Sequence, residues 1–232
     1  MTTLPSLNLS IELVGAGRPN RPGQTIRPTH VTIHNTDNDD PGADAKAHSK
    51  FVRNTGFYID DNGRRHDVSW HFTVDDSRTI QQVPMDELGY HAKSGNGKSL
   101  GIEICMHRGI DQQNANDRAA LLVAALMKEL RIDIQHVVTH KKWTGKICPS
   151  KLLNDDQEGA RWTAFKTRVA DFAAELAKPG APPLLDAARE QSLSRGSRPM
   201  GTETISSQQL ENDLDHRAVR EQLRRASDSP SG

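Results

Sequence analysis

The alternation of apolar and polar positions marks out a series of elements. In "HVTIHNT" the β-branched run Val31, Thr32 and Ile33 leads to His34 and then to the turn-rich "NTDNDDPG", which predicts a strand with His34 at its carboxyl end. "ADAKAHSKFVRNTG" has helical spacing through Ala43, Ala47 and Phe51 and closes on Asn54 and Gly56. "SWHFTVDD" sets Trp70, Phe72 and Val74 against His71 and Thr73; with "TIQQVP" after a short polar turn it predicts an antiparallel hairpin. "SLGIEICM" predicts another strand, with Leu100, Ile102 and Ile104 on one face and Gly101, Glu103 and Cys105 on the other. "NDRAALLVAALMKEL" is apolar nearly all round and predicts a buried helix. "IQHVVTH" returns as a strand ending at His140, and a last helix carries Trp162, Phe165, Val169, Phe172 and Leu176 at i, i+3, i+4 and i+7 spacing.

Strand, helix, strand in that order reads as an α/β domain, whose ligands usually collect at the carboxyl ends of the strands. Residues 1–26 read as a Pro/Gly-punctuated lead-in, 27–179 as the domain and 180–232 as a tail. The tail holds no Phe, Trp or Tyr, and it reads as mostly disordered apart from one amphipathic helix through Leu210, Leu214, Val219 and Leu223.

Composition narrows the function. A hydrophobic content of 34% and a mean hydropathy of -0.68 are polar for a compact domain, in keeping with a chain that is part tail. Lys plus Arg and Asp plus Glu both number 30, so no net field draws the protein to nucleic acid or to an anionic membrane. No apolar run approaches the roughly 20 residues that span a bilayer, and the N-terminus lacks the basic start and apolar stretch of a secretory signal. The expectation is synthesis in the cytoplasm without such a signal and no membrane insertion. Two cysteines, Cys105 and Cys148, are too few for a disulfide framework and point to metal, catalytic or buried roles.

The densest chemistry is in "VVTHKKWTGKICPSKL". Zinc takes imidazole nitrogen and thiolate, and a catalytic site leaves a fourth position to water. A strand end followed by a loop can fold His140 and Cys148 towards one point, but spacing alone does not select a third ligand from ten histidines. Cys148 read as a small buried hydrophobe is the competing view. Glu103, a carboxylate on an otherwise apolar strand, reads either as a general base or as an ordinary strand glutamate reaching solvent or a cation.

At "THVTIHNT", "WHFTVDD", "SLGIEIC" and "THKKWTGKICPSKL", in that order, the chain resembles the zinc-dependent N-acetylmuramoyl-L-alanine amidases of the amidase_2 class, which includes phage endolysins, bacterial autolysins and peptidoglycan recognition proteins. The resemblance implies a mixed central β-sheet flanked by helices with a zinc cleft at the strand ends. It implies His34, His140 and Cys148 as zinc ligands and Glu103 as the base. Lys146 would face the developing oxyanion, with Thr144 as a further donor to the same oxygen. His91 matches a histidine that lines the substrate groove in relatives; Asn96, in the Gly-rich turn after it, reads either as a hydrogen-bonding partner of the glycan or peptide or as a turn residue only. Where some members carry a catalytic tyrosine this chain has Trp70, which leaves that residue a core or sugar-stacking role. His30, His48, His66, His71, His107, His136 and His216 read as ordinary core or surface imidazoles.

The implied reaction is hydrolysis of the amide between the lactyl group of N-acetylmuramic acid and L-alanine of the stem peptide. The alternative is a muropeptide-binding module that does not cleave. The expected partner is peptidoglycan, and the expected state a monomer. The setting is a cell wall reached through holin-type release or a secretion machine, as for an endolysin or autolysin.

Overall fold

The computed structural model describes residues 4–193 and 205–228. Its strands are β1 (Leu9–Ile11), β2 (His30–Asn35), β3 (Phe57–Ile59), β4 (Arg65–Asp67), β5 (Phe72–Val74), β6 (Thr79–Gln81), β7 (Ser99–Ile104) and β8 (Val137–Thr139). Its helices are α1 (Ala45–Asn54), α2 (Gln112–Leu130), α3 (Lys141–Thr144), α4 (Ala160–Leu176), α5 (Asp186–Leu193), α6 (Ser207–Glu211) and α7 (His216–Asp228). Six strands form one sheet in the order β1-β6-β5-β7-β2-β8, while β3 and β4 make a separate hairpin. The pairs β5–β7, β7–β2, β2–β8 and β1–β6 are parallel, and β5–β6 is the antiparallel hairpin the alternation predicts.

Register divides the sheet into two unlike faces. Val31, Ile33, Phe72, Val74, Leu100, Ile102, Ile104 and Val137 point to one side, where α2 and α4 cover them with Leu122, Leu126, Phe165 and Phe172 to make the main core. Thr32 lies opposite Gly101, His34 opposite Glu103, and Glu103 opposite Thr73, so the other face is a polar row at the centre of the sheet. Around that row α1, Trp70 and the C-terminal segment build a second apolar cluster with Val14, Tyr58, Leu214 and Val219.

Several boundaries differ from the sequence reading. The lead-in contributes β1, an edge strand paired to β6, and Arg21 anchors it through a buried ion pair to Glu87 at 2.7 Å. Helix α2 starts a turn upstream of Asn116 because Asp111 caps it, accepting from the Asn114 N–H at 3.0 Å. The hairpin β3–β4 escaped the pattern because "RHD" is polar throughout and "FYI" apolar throughout, so neither strand alternates. Beyond Pro179 the described residues are largely helical, with Leu185 and Ala188 of the α5 region packed into the main core. The amphipathic stretch through Leu210 and Leu223 is two helices, broken by an extended passage from Asn212 to Asp215.

His71 ties this framework together. The Gly101 N–H donates to its Nδ1 at 3.0 Å, and its Nε2–H donates to the Glu87 carbonyl at 2.9 Å, which only the neutral ring can do. Burial pushes its pKa from 6.5 down to about 3. An unfolded His71 takes up a proton near 6.5 that the folded ring refuses. Its contribution to stability is therefore complete above that pH and shrinks as pH falls towards 3, by at most about 1.4 kcal/mol per pH unit. Histidine NMR is expected to show a neutral Nε2–H ring for His71 down to pH 4, with the denaturation midpoint lower at pH 5 than at pH 7; a His71 signal titrating near 6.5 contradicts this.

Candidate metal centre and cleft

The site is assembled at the carboxyl ends of β2, β7 and β8. His34 stands opposite Glu103 in the β2–β7 register, and His140 directly follows β8, its N–H donating to the Ile33 carbonyl at 3.2 Å. The chain then turns through α3 and ends it at Gly145, whose φ of +77° suits glycine. The Lys141 N–H donates to the Cys148 carbonyl at 3.1 Å, which folds the thiol back beside His140. Asn35 holds the outgoing strand, its Oδ1 accepting from the Lys151 N–H at 2.9 Å. His34, His140, Glu103 and Cys148 are all buried.

Hydrogen bonds decide which imidazole nitrogens are available. The Ser99 carbonyl can only accept, so His91 donates to it from Nε2 at 3.3 Å and offers its Nδ1 lone pair to His34 Nε2–H at 3.0 Å. His34 Nδ1 is left unprotonated, 3.8 Å from Cys148 Sγ and 3.7 Å from Glu103 Oε1. This is a metal ligand oriented by a second imidazole. Burial and the neighbouring His140 push the His34 pKa well down, which keeps that lone pair free. Burial alone would raise the Cys148 pKa, but the adjacent His216 and His140 outweigh it, and the thiol sits below its ordinary value. The Nδ1 of His140 and the Oε2 of Glu103 are buried with no hydrogen-bond partner.

Among the described residues, the tight ligand trio is His34, Cys148 and His216, with ligand atoms all within 4.8 Å of one another. His140 lies against His34, ring centroids 4.4 Å apart, and donates from Nε2 to Asp213 Oδ1 at 2.8 Å. Two or three imidazoles around a buried cysteine sulfur, with His140 Nδ1 still unpartnered, form a donor set of the kind zinc takes.

The other residues singled out in the sequence fall into place unevenly. The Lys146 ammonium reaches the cleft but is engaged by Asp213 Oδ2 at 2.7 Å and the Leu214 carbonyl at 3.0 Å. Asn96 is a backbone organiser, its Oδ1 accepting from the N–H groups of His91 at 2.8 Å and Ala92 at 2.7 Å. Thr144 shapes its own loop, accepting from the Lys146 N–H at 3.3 Å. Trp70 corrects the sugar-stacking option: 1% exposed, its indole donates to Thr73 at 2.7 Å inside the second apolar cluster, so no ring face meets a ligand. His216 and Asp213 were missed. They lie in a charge-rich stretch where an imidazole or carboxylate is unremarkable; the one available hint was that His216 is the only histidine after His140.

A mostly parallel sheet with a buried His/Cys ligand cluster and a carboxylate at its strand ends defines an α/β protein built around a candidate metal site. The chain belongs to the N-acetylmuramoyl-L-alanine amidase family Amidase_2, whose pattern matches residues 23–151. It is 43% identical over 164 residues to the N-acetylmuramoyl-L-alanine amidase CwlH of Bacillus subtilis (strain 168), covering 68% of this chain and 60% of that protein. It is 39% identical over 167 residues to XlyA of the same organism, covering 70% of this chain and 51% of that protein. The chain thus spans about half to three-fifths of the length of these curated relatives. Its fold is similar to that of the catalytic domain of XlyA, with a TM-score of 0.61 at 39% identity, covering 70% of this chain and 99% of that one. It is likewise similar to PlyL, with a TM-score of 0.56 at 30% identity, covering 69% and 96%.

Gly101 lets the two imidazoles meet, since a Cβ there would lie 2.8 Å from Cγ and Nδ1 of the buried His91 ring. Gly101→Ala is expected to displace His91, cost about 1–3 kcal/mol in thermal unfolding as an overpacked site does, and abolish the Nε2–H signature of His34 in histidine NMR. An unchanged His34 tautomer would show that His91 does not orient it.

Proposed function

We propose that the chain is a zinc-dependent N-acetylmuramoyl-L-alanine amidase that hydrolyses the bond between the lactyl group of N-acetylmuramic acid and L-alanine of the stem peptide, with the bacterial cell wall as its site of action. What supports this is a buried His34 whose Nδ1 lies 3.8 Å from Cys148 Sγ and whose ring centroid lies 4.4 Å from that of His140, beside the unpartnered Oε2 of Glu103, in a chain of this family. His34, His140 and Cys148 would hold the metal, which when bound supplies a Lewis acid for the lactyl carbonyl and acidifies water.

Glu103 carries the proton traffic in this reading. Its Oε2 accepts a proton from the attacking water and returns it to the alanine nitrogen as the amide breaks, leaving a lactyl carboxylate and a free stem-peptide amine. Lys146, once free of its present partners, sets an ammonium against the negative charge that develops on the carbonyl oxygen. His91 acts through His34 as a positioning residue, and Asn96 shapes the groove wall through the backbone at His91 and Ala92. No helix among the described residues is long and apolar enough to cross a membrane.

Muropeptides of defined structure, incubated with the protein and resolved by mass spectrometry, are expected to release free stem peptide and intact glycan. Release should stop with a zinc chelator and return with zinc. Glu103→Gln should lower kcat by about 10²–10⁴-fold, the usual worth of a general base, with zinc content unchanged. Muropeptide bound but uncut, both by the zinc-replete chain and by the C-terminal variants described below, would identify the binding module instead.

A further inference from the structure

Residues after 204 lie beyond the stretch that matches the family, 23–151, yet they are immediate partners of Glu103, His140, Cys148 and Lys146. His216 Nε2 sits 3.0 Å from Glu103 Oε1 and 4.0 Å from Cys148 Sγ. Asp213 sets one carboxylate oxygen on His140 and the other on Lys146, so a fixed anion stands between the two groups best placed to face negative charge. The backbone is laid along the cleft as well. Asp213 makes an antiparallel bridge with Ala92, and the Asn212 carbonyl accepts from the Lys93 N–H at 3.2 Å and from Asn96 Nδ2 at 2.8 Å. Leu214 and Val219, at 1% and 3% exposure, are seated with Phe51, Tyr58 and Trp70. Away from the site, Arg220 and Arg224 clasp Asp40.

An extended segment bridged to the groove backbone and anchored by a buried leucine is held as a peptide ligand is held. Because it belongs to the same chain, its effective concentration is on the order of millimolar or higher, which an incoming ligand must overcome. We infer that Asn212–His216 is an internal occupant of the cleft, with His216 a fourth protein ligand to the metal, so that the chain is held closed until this segment is displaced. The inference rests on the amidase reading for its functional consequence. A zinc site with three protein ligands keeps a position for water, whereas one with four does not. The ligand atom of His216 lies within 4.8 Å of those of His34 and Cys148, and its Nε2, on giving up the proton it shares with Glu103 Oε1, is placed to take that position.

Two full-length variants test this from different sides. Asp213→Ala/His216→Ala removes the contacts within the site. Arg220→Glu/Arg224→Glu unclasps α7 at Asp40 and touches no group of the site. Both are expected to raise kcat/KM on muropeptides about tenfold or more, since an occupant of the cleft must leave before substrate enters. In the parent chain labelled with ¹⁵N-histidine and stripped of metal, the Nε2 signal of His216 should shift when zinc is added. His216→Ala should weaken zinc binding about tenfold or more, since losing a ligand costs at least as much as losing a ligand's supporting partner. Turnover no higher than the parent's in both variants, or a His216 nitrogen indifferent to zinc, overturns the inference and leaves the amidase reading standing. If neither parent nor variants release stem peptide, the amidase reading falls, and the His216 signal alone decides whether the segment occupies the metal site.

Discussion

The arrangement depends above all on how β2 lies against β7. Parallel pairing sets His34 opposite Glu103 and, one step either way, packs Ile33 and Asn35 opposite Ile102 and Ile104. Side chains alternate across a strand, so a slip of one residue would drive the imidazole and the carboxylate into the face covered by α2 and α4 and leave the isoleucines in the cleft. The apolar face thus enforces the polar one. Leu100, Ile102, Ile104, Val31 and Ile33, all fully buried, hold the register that places two ionisable groups side by side.

Placing them there has a cost that the surroundings must offset. Imidazoles, a thiol and a carboxylate removed from water are tolerated when each finds a hydrogen bond or an opposite charge. His34 is satisfied through His91 and Ser99, an arrangement that Gly101 makes room for. Cys148 Sγ has His34 Nδ1 within reach at 3.8 Å, but His140, Glu103 and Lys146 are not satisfied by their own domain. Asp213 and His216 reach in from the C-terminal segment to complement them, carboxylate to imidazole and ammonium, imidazole to carboxylate and thiol. A metal ion would meet much of the same demand. The electrostatic requirement that makes the pocket a candidate metal site is therefore also what makes it attractive to a histidine and an aspartate of the same chain.

Much of this was legible in the residue order. Alternation along "SLGIEICM" separated Glu103 from its apolar neighbours, and β-branched runs ending at His34 and His140 put both histidines at strand ends. Helices α1, α2 and α4 were carried by their apolar spacing, since each lays a long stripe against the core. Some short elements were harder to see. β3 and β4 are as short as β5, β6 and β8, but one is apolar throughout and the other polar throughout, so their strand geometry comes from neighbours rather than from any alternation of their own.

The layers, the central strands and the ligand types gathered near "THKKWTGKICPSKL" follow from residue order alone, because periodicity and residue chemistry are local properties. The same order also carried the family resemblance, which selected His34. Which of those groups have partners and which are left over was settled by the folded arrangement. It turned Trp70 into a core residue and Asn96 into a backbone organiser, and it brought Asp213 and His216 into a cleft built from residues some seventy to a hundred and eighty positions earlier. Contacts across such separations leave no local mark, since they depend on where a folded surface has unmet charge, and that surface exists only once the sheet has formed.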